Sequence, residues 1–178
     1  MPTPGKCWWH IILSTHGSWL PGDPRGFRSR NHRIHSSGDY KKPPPVGEHA
    51  GLYRYQRART KKTVLAAPDR KPVGRALWNR AEELACRMRT IAVSFTHAHL
   101  LAEMVEGENE RNGQIGECKR VASIKVRDKH AGGIWARLGD FNRVESRDYW
   151  DNCHHYILGQ ADSWVMWLEK GEIRVKVT

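Results

Sequence analysis

Residues 93–101 read Val-Ser-Phe-Thr-His-Ala-His-Leu-Leu, and the fold prediction starts from this stretch. The apolar and β-favouring residues around it predict a strand over roughly residues 90–104. Because side chains alternate between the two faces of a strand, His97 and His99 should point to the same face. A histidine pair of this kind is more often a structural feature with satisfied hydrogen bonds than a functional site. The pair therefore indicates chemistry only if it has partners elsewhere in the chain.

The pattern of apolar residues on either side predicts alternating strands and helices. In chain order we expect a strand over 7–16, helices over 72–89 and 113–129, short strands over 134–138 and 141–144, a helix capped by Ser146 that continues through Tyr156 and Gln160, and a strand over 172–178. This order is typical of an α+β domain. Since the strands are few and hydrophobic, we expect one antiparallel sheet with the helices packed on one face.

The composition points to a single basic domain. A chain of 178 residues suits one domain over 1–178. It carries 30 Lys+Arg against 19 Asp+Glu, a formal net charge of +11, and its mean hydropathy is −0.70. Such a charge attracts polyanions, of which nucleic acid is the commonest.

Most of the excess charge falls in an insertion at about residues 22–70. This segment holds 12 Lys+Arg and four acids, and its Pro43-Pro44-Pro45 run argues against a continuous helix or strand. It is either a solvated, partly disordered loop or a DNA-contacting arm. Phe27, Tyr53 and Tyr55 favour contact, because aromatic rings among arginines suit stacking with unpaired bases. The candidate DNA-binding residues here are Arg25, Arg28, Arg30, Arg57, Arg59, Lys61 and Lys62, and the second helix adds Lys119 and Arg120.

Cysteine spacing and apolar runs indicate the compartment. The four cysteines are widely separated and form no C-x-x-C pair, so they are interpreted as free thiols in a reducing environment. The apolar run from Trp8 to Leu13 is too short for a signal or membrane segment. We expect a cytoplasmic protein that does not interact with membranes.

Tyr156 and Gln160 lie four residues apart, so on a helix they would share one face. The sequence His97-Ala98-His99, followed by Tyr156-Ile157-Leu158-Gly159-Gln160, resembles the single-tyrosine HUH endonucleases. These are the transposases of small bacterial insertion sequences, together with the REP-associated tyrosine transposases. Lys119 with Ser123, the stretches 134–137 and 140–144, and the first strand are also similar. The resemblance covers roughly residues 7–20 and 72–162.

The resemblance implies both a fold and a chemistry. The fold would be a ferredoxin-like or RRM-like sheet of the HUH type. His97, His99 and Gln160 would hold a divalent metal, Mg²⁺ or Mn²⁺, that stabilises charge on the scissile phosphate. Tyr156 would attack that phosphate and form a 5′-phosphotyrosine, so that strands are nicked and rejoined without ATP. The partner would be single-stranded DNA with hairpin-containing ends, the protein could be a homodimer, and it would associate with the bacterial nucleoid.

The sequence departs from the family pattern at two places. The residue between the histidines is usually bulky in that family, whereas here it is Ala98, so packing behind the pair must come from elsewhere. His154 and His155 directly precede Tyr156 and could compete as metal ligands or accept a proton, although we interpret them as surface residues. Tyr149 is the rival nucleophile, but only Tyr156 has a glutamine four residues later.

Two other functions stay open from the sequence. One is a non-catalytic or domesticated sequence-specific DNA-binding protein derived from a transposase, which would hold DNA through the insertion and the second helix. The other is an HUH enzyme of plasmid transfer or rolling-circle replication, although such enzymes usually have longer chains.

Overall fold

A computed structural model describes residues 2–27, 45–130, 133–137 and 139–177. In these ranges the elements are β1 (Lys6–Ser14), α1 (Ala50–Arg59), α2 (Ala67–Glu83), β2 (Arg87–Val93), β3 (His97–Val105), α3 (Glu108–Ile124), β4 (Asp140–Val144), α4 (Arg147–Leu158), β5 (Trp164–Glu169) and β6 (Glu172–Val177). None of the helices described is long and apolar enough to cross a bilayer. The chain divides into a sheet unit, Met1–Thr15 with Val64–Thr178, and an insertion unit, His16–Thr63.

The sheet unit is built on six strands in the order β4-β1-β3-β2-β5-β6, and every neighbouring pair is antiparallel. β3 lies inside the sheet and is buried over seven of its nine residues. This explains its nearly continuous apolar sequence, because a strand covered on both faces has no polar side. The predicted α+β class and antiparallel sheet are confirmed.

The prediction that the helices pack on one face is wrong. α2 and α3 cover one face, where Leu77 and Ile115 join the main core with Leu100 of β3. α4 covers the opposite face, where Ile157 packs against Leu101 in a second, smaller core. Neighbouring strand residues point to opposite faces, so a strand apolar at both Leu100 and Leu101 needs cover on both sides.

The single strand predicted over residues 90–104 is a hairpin of β2 and β3. The chain reverses at Ser94-Phe95-Thr96, where the backbone N–H of Ser94 donates to the carbonyl of His97 at 2.9 Å. The turn is also held from outside, because Thr15 N donates to Thr96 O at 2.7 Å and Leu65 N donates to Phe95 O at 2.8 Å. It contains no glycine, proline, asparagine or aspartate, so Ser94 is the only one of the usual turn residues at this place.

The later elements follow the prediction more closely. Ser146 caps α4, since its hydroxyl accepts a hydrogen bond from Tyr149 N at 3.1 Å. The second predicted strand piece is β4 and the last is β6. The first piece, 134–138, is not a strand in its described part, where Trp135 makes only an isolated bridge to Thr15.

The insertion unit contains the ten-residue helix α1, which the prediction of an irregular segment missed. Gly22 lies directly against this helix with φ of +86°, and a Cβ there would come within 2.6 Å of Tyr53 N. Arg25 forms an ion pair with Asp23 at 2.7 Å and covers the Trp19 ring at 4.2 Å. This part of the basic segment is therefore folded around its own contacts.

The close approach of α2 to β5 yields a test of the main core. A Cβ on Gly74 would lie 2.2 Å from Cζ3 of Trp164, which is 2% exposed. Gly74→Ala should therefore lower the free energy of unfolding by about 1–3 kcal/mol through overpacking. The control is Gly113→Ala in α3, where nothing lies within 4 Å of the added Cβ. That change should raise stability by up to about 1 kcal/mol, as expected for an exposed helical glycine. Urea denaturation measures both changes, and equal stability of the two variants would contradict the packing described.

Candidate functional site

His97 and His99 lie at the beginning of β3, in the interior of the sheet. β1 supplies their cross-strand neighbours, Ser14 opposite His97 and Ile12 opposite His99. The two imidazole centroids are 4.8 Å apart, and both rings are on the face that α4 covers. His97 is half-buried, whereas His99 is only 5% exposed.

Ala98 points to the other face and is fully buried in the main core. Its cross-strand partners are Leu13 on β1 and Val93 on β2, both of which are also fully buried. These larger side chains complete the packing behind the histidine pair, as the small size of Ala98 requires.

His10 is a third histidine at this place, and the sequence analysis did not select it. It lies on β1 opposite Leu101, which brings it diagonally next to His99. His10 Nε2 and His99 Nδ1 are 3.0 Å apart, the rings are stacked with centroids at 5.2 Å, and His10 is 8% exposed. The available signal was a lone histidine inside an apolar strand, since a buried imidazole needs a hydrogen-bond partner.

Tyr156 and Gln160 approach the histidines from α4. The Tyr156 ring packs edge to face with the His99 and His10 rings, at centroid distances of 5.3 Å and 5.9 Å, and the residue is 53% exposed. The Gln160 side chain hydrogen-bonds the His97 side chain. Its Nε2 also donates to Tyr156 O at 3.4 Å. The four residues selected from the sequence therefore lie together within one chain.

Gln160 is not on the helix, which corrects the prediction that the helix continues through it. α4 ends at Leu158, with Gly159 as its C-cap. Gln160 N donates to Ile157 O at 3.3 Å in the closing turn, and Ser163 Oγ donates to Gln160 O at 2.7 Å. Gln160 thus remains one turn beyond Tyr156, held by the turn that leads into β5.

Burial keeps the three histidines in the neutral form. It lowers the pKa of His10, and it lowers the pKa of His97 although the hydrogen bond to Gln160 acts in the opposite direction. For His99, burial together with the neighbouring His97 and His10 lowers the pKa to about 3. A neutral imidazole has a lone pair on one ring nitrogen, which is the form that binds metal ions.

Hydrogen-bond contacts at Nδ1 orient the rings of His97 and His99. Ser94 Oγ donates to His97 O at 3.1 Å and lies 3.0 Å from His97 Nδ1, so this hydroxyl holds the ring on its Nδ1 side. His10 Nε2 holds the His99 ring in the same way, 3.0 Å from His99 Nδ1. Metal-binding histidines are typically oriented by such a hydrogen bond from the other ring nitrogen.

The donor set fits a divalent cation with two imidazoles and one carboxamide. His97 and His99 would contribute Nε2, and Gln160 would contribute its amide oxygen. His10 does not make a third nitrogen ligand, since its Nε2 is engaged with His99. Within the described residues, no group of three or more His, Cys, Asp or Glu side chains is arranged to hold a metal. A mixed nitrogen and oxygen set suits Mn²⁺ better than Mg²⁺, which prefers oxygen alone.

His154 and His155 differ in environment. His155 is exposed, as predicted, and its Nδ1 contacts Asp151 O at 2.8 Å. The interpretation of His154 as a surface residue is wrong, because it is 7% exposed and hydrogen-bonds Thr90 Oγ1 of β2. The helical period places the two neighbouring side chains in different surroundings, one against the sheet and one toward solvent.

The basic residues selected as DNA contacts are distributed over both units. Arg25, Arg57, Arg59, Lys61 and Lys62 belong to the insertion unit, whereas Arg28 and Arg30 lie outside the described residues. Lys119 and Arg120 are on α3, on the sheet face opposite the histidine pair. Lys119 Nζ donates to Ala136 O at 2.5 Å and to Arg137 O at 3.0 Å, so its ammonium group holds the segment after α3.

Comparison with known proteins does not assign the chain to a family. No model of a known protein family matches it, and no curated protein matches it significantly. What the site does must therefore be inferred from its own residues and from the motif resemblance.

The buried His154 predicts an acid-sensitive fold. Burial is the main cause that lowers its pKa to about 4, against about 6.5 in an unfolded chain. Between these values the unfolded state takes up a proton that the folded state does not, so stability falls as the pH drops from 6.5 toward 4. At pH 4.5 this costs about 2–3 kcal/mol relative to pH 7.

Urea denaturation of His154→Asn at pH 7 and at pH 4.5 measures this cost. The variant should lose less stability on acidification than the parent chain. His155→Asn is the matched control, since the adjacent exposed side chain should leave the pH dependence as it is. The same acid sensitivity in all three proteins would show that His154 is not the group responsible.

Proposed function

We propose that this protein is a metal-dependent single-strand DNA transposase of the single-tyrosine HUH type, which nicks and rejoins DNA through a 5′-phosphotyrosine. The observation that carries the proposal is the Tyr156 phenol ring 5.3 Å from His99, with Gln160 hydrogen-bonded to His97. Tyr156 follows His99 by 57 residues in the sequence, so the contact between them did not follow from either motif alone. That they meet within one chain favours an active site formed in cis.

The topology supports an HUH-type, ferredoxin-like fold. In the sheet unit, the first four strands and the helices between them follow the order β1-α2-β2-β3-α3-β4, and α1 belongs to the insertion unit between β1 and α2. In the sheet these strands are arranged β4-β1-β3-β2, all antiparallel. A β-α-β-β-α-β succession is the pattern of the ferredoxin-like fold. β5 and β6 then extend this sheet beyond β2.

The proposed reaction exchanges one phosphate ester for another. The Tyr156 oxygen bonds to phosphorus and gives up its proton, while the bond to the 3′ oxygen breaks and that oxygen takes a proton as it leaves. The 5′ phosphate stays on Tyr156 until a free 3′ hydroxyl attacks it and restores the phenol. No ATP is needed, because the energy of the ester bond is conserved.

The residues around Tyr156 have separate tasks in this reaction. A divalent cation on His97, His99 and Gln160 would supply stabilisation of the charge that develops on the phosphate oxygens. His10 would hold the His99 ring in position through its 3.0 Å contact. The exposed position of Tyr156 leaves the phenol accessible to a strand arriving from solvent.

A non-catalytic DNA-binding protein derived from a transposase is the second candidate. It is favoured by the burial of His10 and His99, each less than 10% exposed and each in contact with the other. A stacked pair of this kind is also what a structural polar contact in a core would look like. The two candidates differ in whether a covalent bond to DNA forms.

Replacement of the proposed nucleophile distinguishes them. The protein is incubated with a labelled single-stranded oligonucleotide and Mn²⁺ and run on a denaturing gel, where a shifted band indicates covalent attachment. Tyr156→Phe should abolish the shifted band while leaving DNA affinity nearly unchanged, because only the attacking oxygen is lost. Tyr149→Phe, on the same helix and 40% exposed, is the matched control and should retain the band. A covalent adduct that persists in Tyr156→Phe would refute the assignment.

The proposed ligands can be tested by metal binding as well as by cleavage. His97→Ala or His99→Ala should remove metal-dependent cleavage and weaken Mn²⁺ binding measured by calorimetry. His10→Ala should weaken Mn²⁺ binding by about 10- to 100-fold, the usual effect of losing an orienting partner. Wild-type Mn²⁺ affinity in all three variants would mean that these histidines hold no metal.

A further inference from the structure

A broad open groove of about 570 Å³ lies between the C-terminal half of α3 and the segment that follows it. Five of its lining residues are basic, and no acid is among those described: Lys119, Arg120, Arg127, His130 and Arg137. The groove is open to solvent along its length, which suits an extended chain better than an enclosed small molecule.

Two guanidinium groups in the groove are suited to bind a ligand. Arg137 is exposed and has no ion-pair partner within the described residues. Arg127 approaches Asp128 only to 3.9 Å, with the two side chains 75% and 98% exposed, so the pair is weak and screened. Lys119 and Arg120 are more occupied, the first with backbone carbonyls and the second with Glu117 at 2.9 Å.

The groove lies at the edge of the sheet closest to the proposed catalytic site. Ala136 N donates to Ser14 O at 2.8 Å, and Ser14 is the cross-strand partner of His97. Two strand spacings, about 10 Å in all, therefore separate the groove's backbone from His97. α3 and Tyr156 are on opposite faces of the sheet, so a single strand of DNA that contacts both would pass around this edge of the sheet.

We propose that this groove binds the phosphates of the single strand flanking the cleavage point, chiefly through Arg127 and Arg137. The ligand is a phosphodiester chain, because guanidinium groups pair with phosphate and the groove offers no acidic lining to repel it. The proposal rests on the proposed function only in identifying the bound DNA as the strand that is cleaved, since binding of DNA by the groove does not require cleavage.

The groove is tested with Arg127→Gln/Arg137→Gln in the Tyr156→Phe chain, which separates binding from attachment. Fluorescence anisotropy measures the affinity for a labelled single strand at several salt concentrations. The double variant should bind about tenfold more weakly, and the slope of log K against log salt should become shallower by about 1.4, about 0.7 for each lost phosphate contact. Arg127→Lys/Arg137→Lys should restore most of this loss, because the charge is kept.

The matched control removes two positive charges from the opposite edge of the sheet. Arg174→Gln/Lys176→Gln on β6 changes the net charge equally and should alter affinity and salt slope much less. Equal effects of the two double variants, or no binding of the parent chain to single-stranded DNA at low salt, would overturn the groove proposal. Thermal melting of each variant verifies that the exposed changes leave the fold intact.

Failure of this proposal is distinguishable from failure of the proposed function. In one outcome, the chain with an intact Tyr156 forms no adduct, but the groove variant still binds DNA more weakly and with a shallower salt dependence. This would refute the transposase proposal and retain the groove proposal. An adduct at Tyr156, together with an unchanged salt slope in the groove variant, would retain the enzyme and overturn the groove.

Discussion

The antiparallel pairing of β1 with β3 is the constraint on which the rest of the sheet unit depends. Its register brings Ser14 opposite His97 and Ile12 opposite His99, and it thereby positions His10 next to His99. A shift of β3 by one residue relative to β1 would turn His97 and His99 to the face of α2 and α3 and away from His10, because side chains alternate along a strand. The buried apolar residues on both faces oppose such a shift. It would turn Leu100 out of the larger core and Leu101 out of the smaller one, so that neither core would keep its packing.

The two faces of the sheet make unequal contributions. The face under α2 and α3 holds the larger core, which includes Leu77, Ile91 and Trp164. The face under α4 has a smaller core around Ile157, and beside it the sheet carries the polar cluster of His10, His97 and His99. Most of the buried apolar packing is therefore on one side of the sheet, and the polar side chains near the exposed Tyr156 are on the other. Because of this separation, β3 can contribute to the core with one face and to the histidine cluster with the other.

Much of the sheet unit was predictable from local patterns. Periodicity predicted α2 and α3, although the predicted ranges 72–89 and 113–129 lie about five residues later than the helices themselves. Ser146 marked the beginning of α4, because its hydroxyl caps the helix. The turn at residues 94–96 was not predictable. It contains no glycine or proline, and it is held by hydrogen bonds from Thr15 and Leu65, which are distant in the sequence. The second helical face was missed for a related reason. A strand apolar on both sides does not tell from its own sequence which helix will cover each side.

For the candidate site, the sequence by itself determined that His97 and His99 share a face. This is a local relation, set by the period of a strand. The position of Gln160 was predicted from a helix that in fact ends at Leu158, and the turn after α4 holds Gln160 instead. Only the tertiary structure decided that the two motifs meet, that His10 joins them, and that His154 turns inward while His155 stays exposed. Those relations depend on strand register and on the packing of α4 against the sheet, and both are set by residues far apart in the chain.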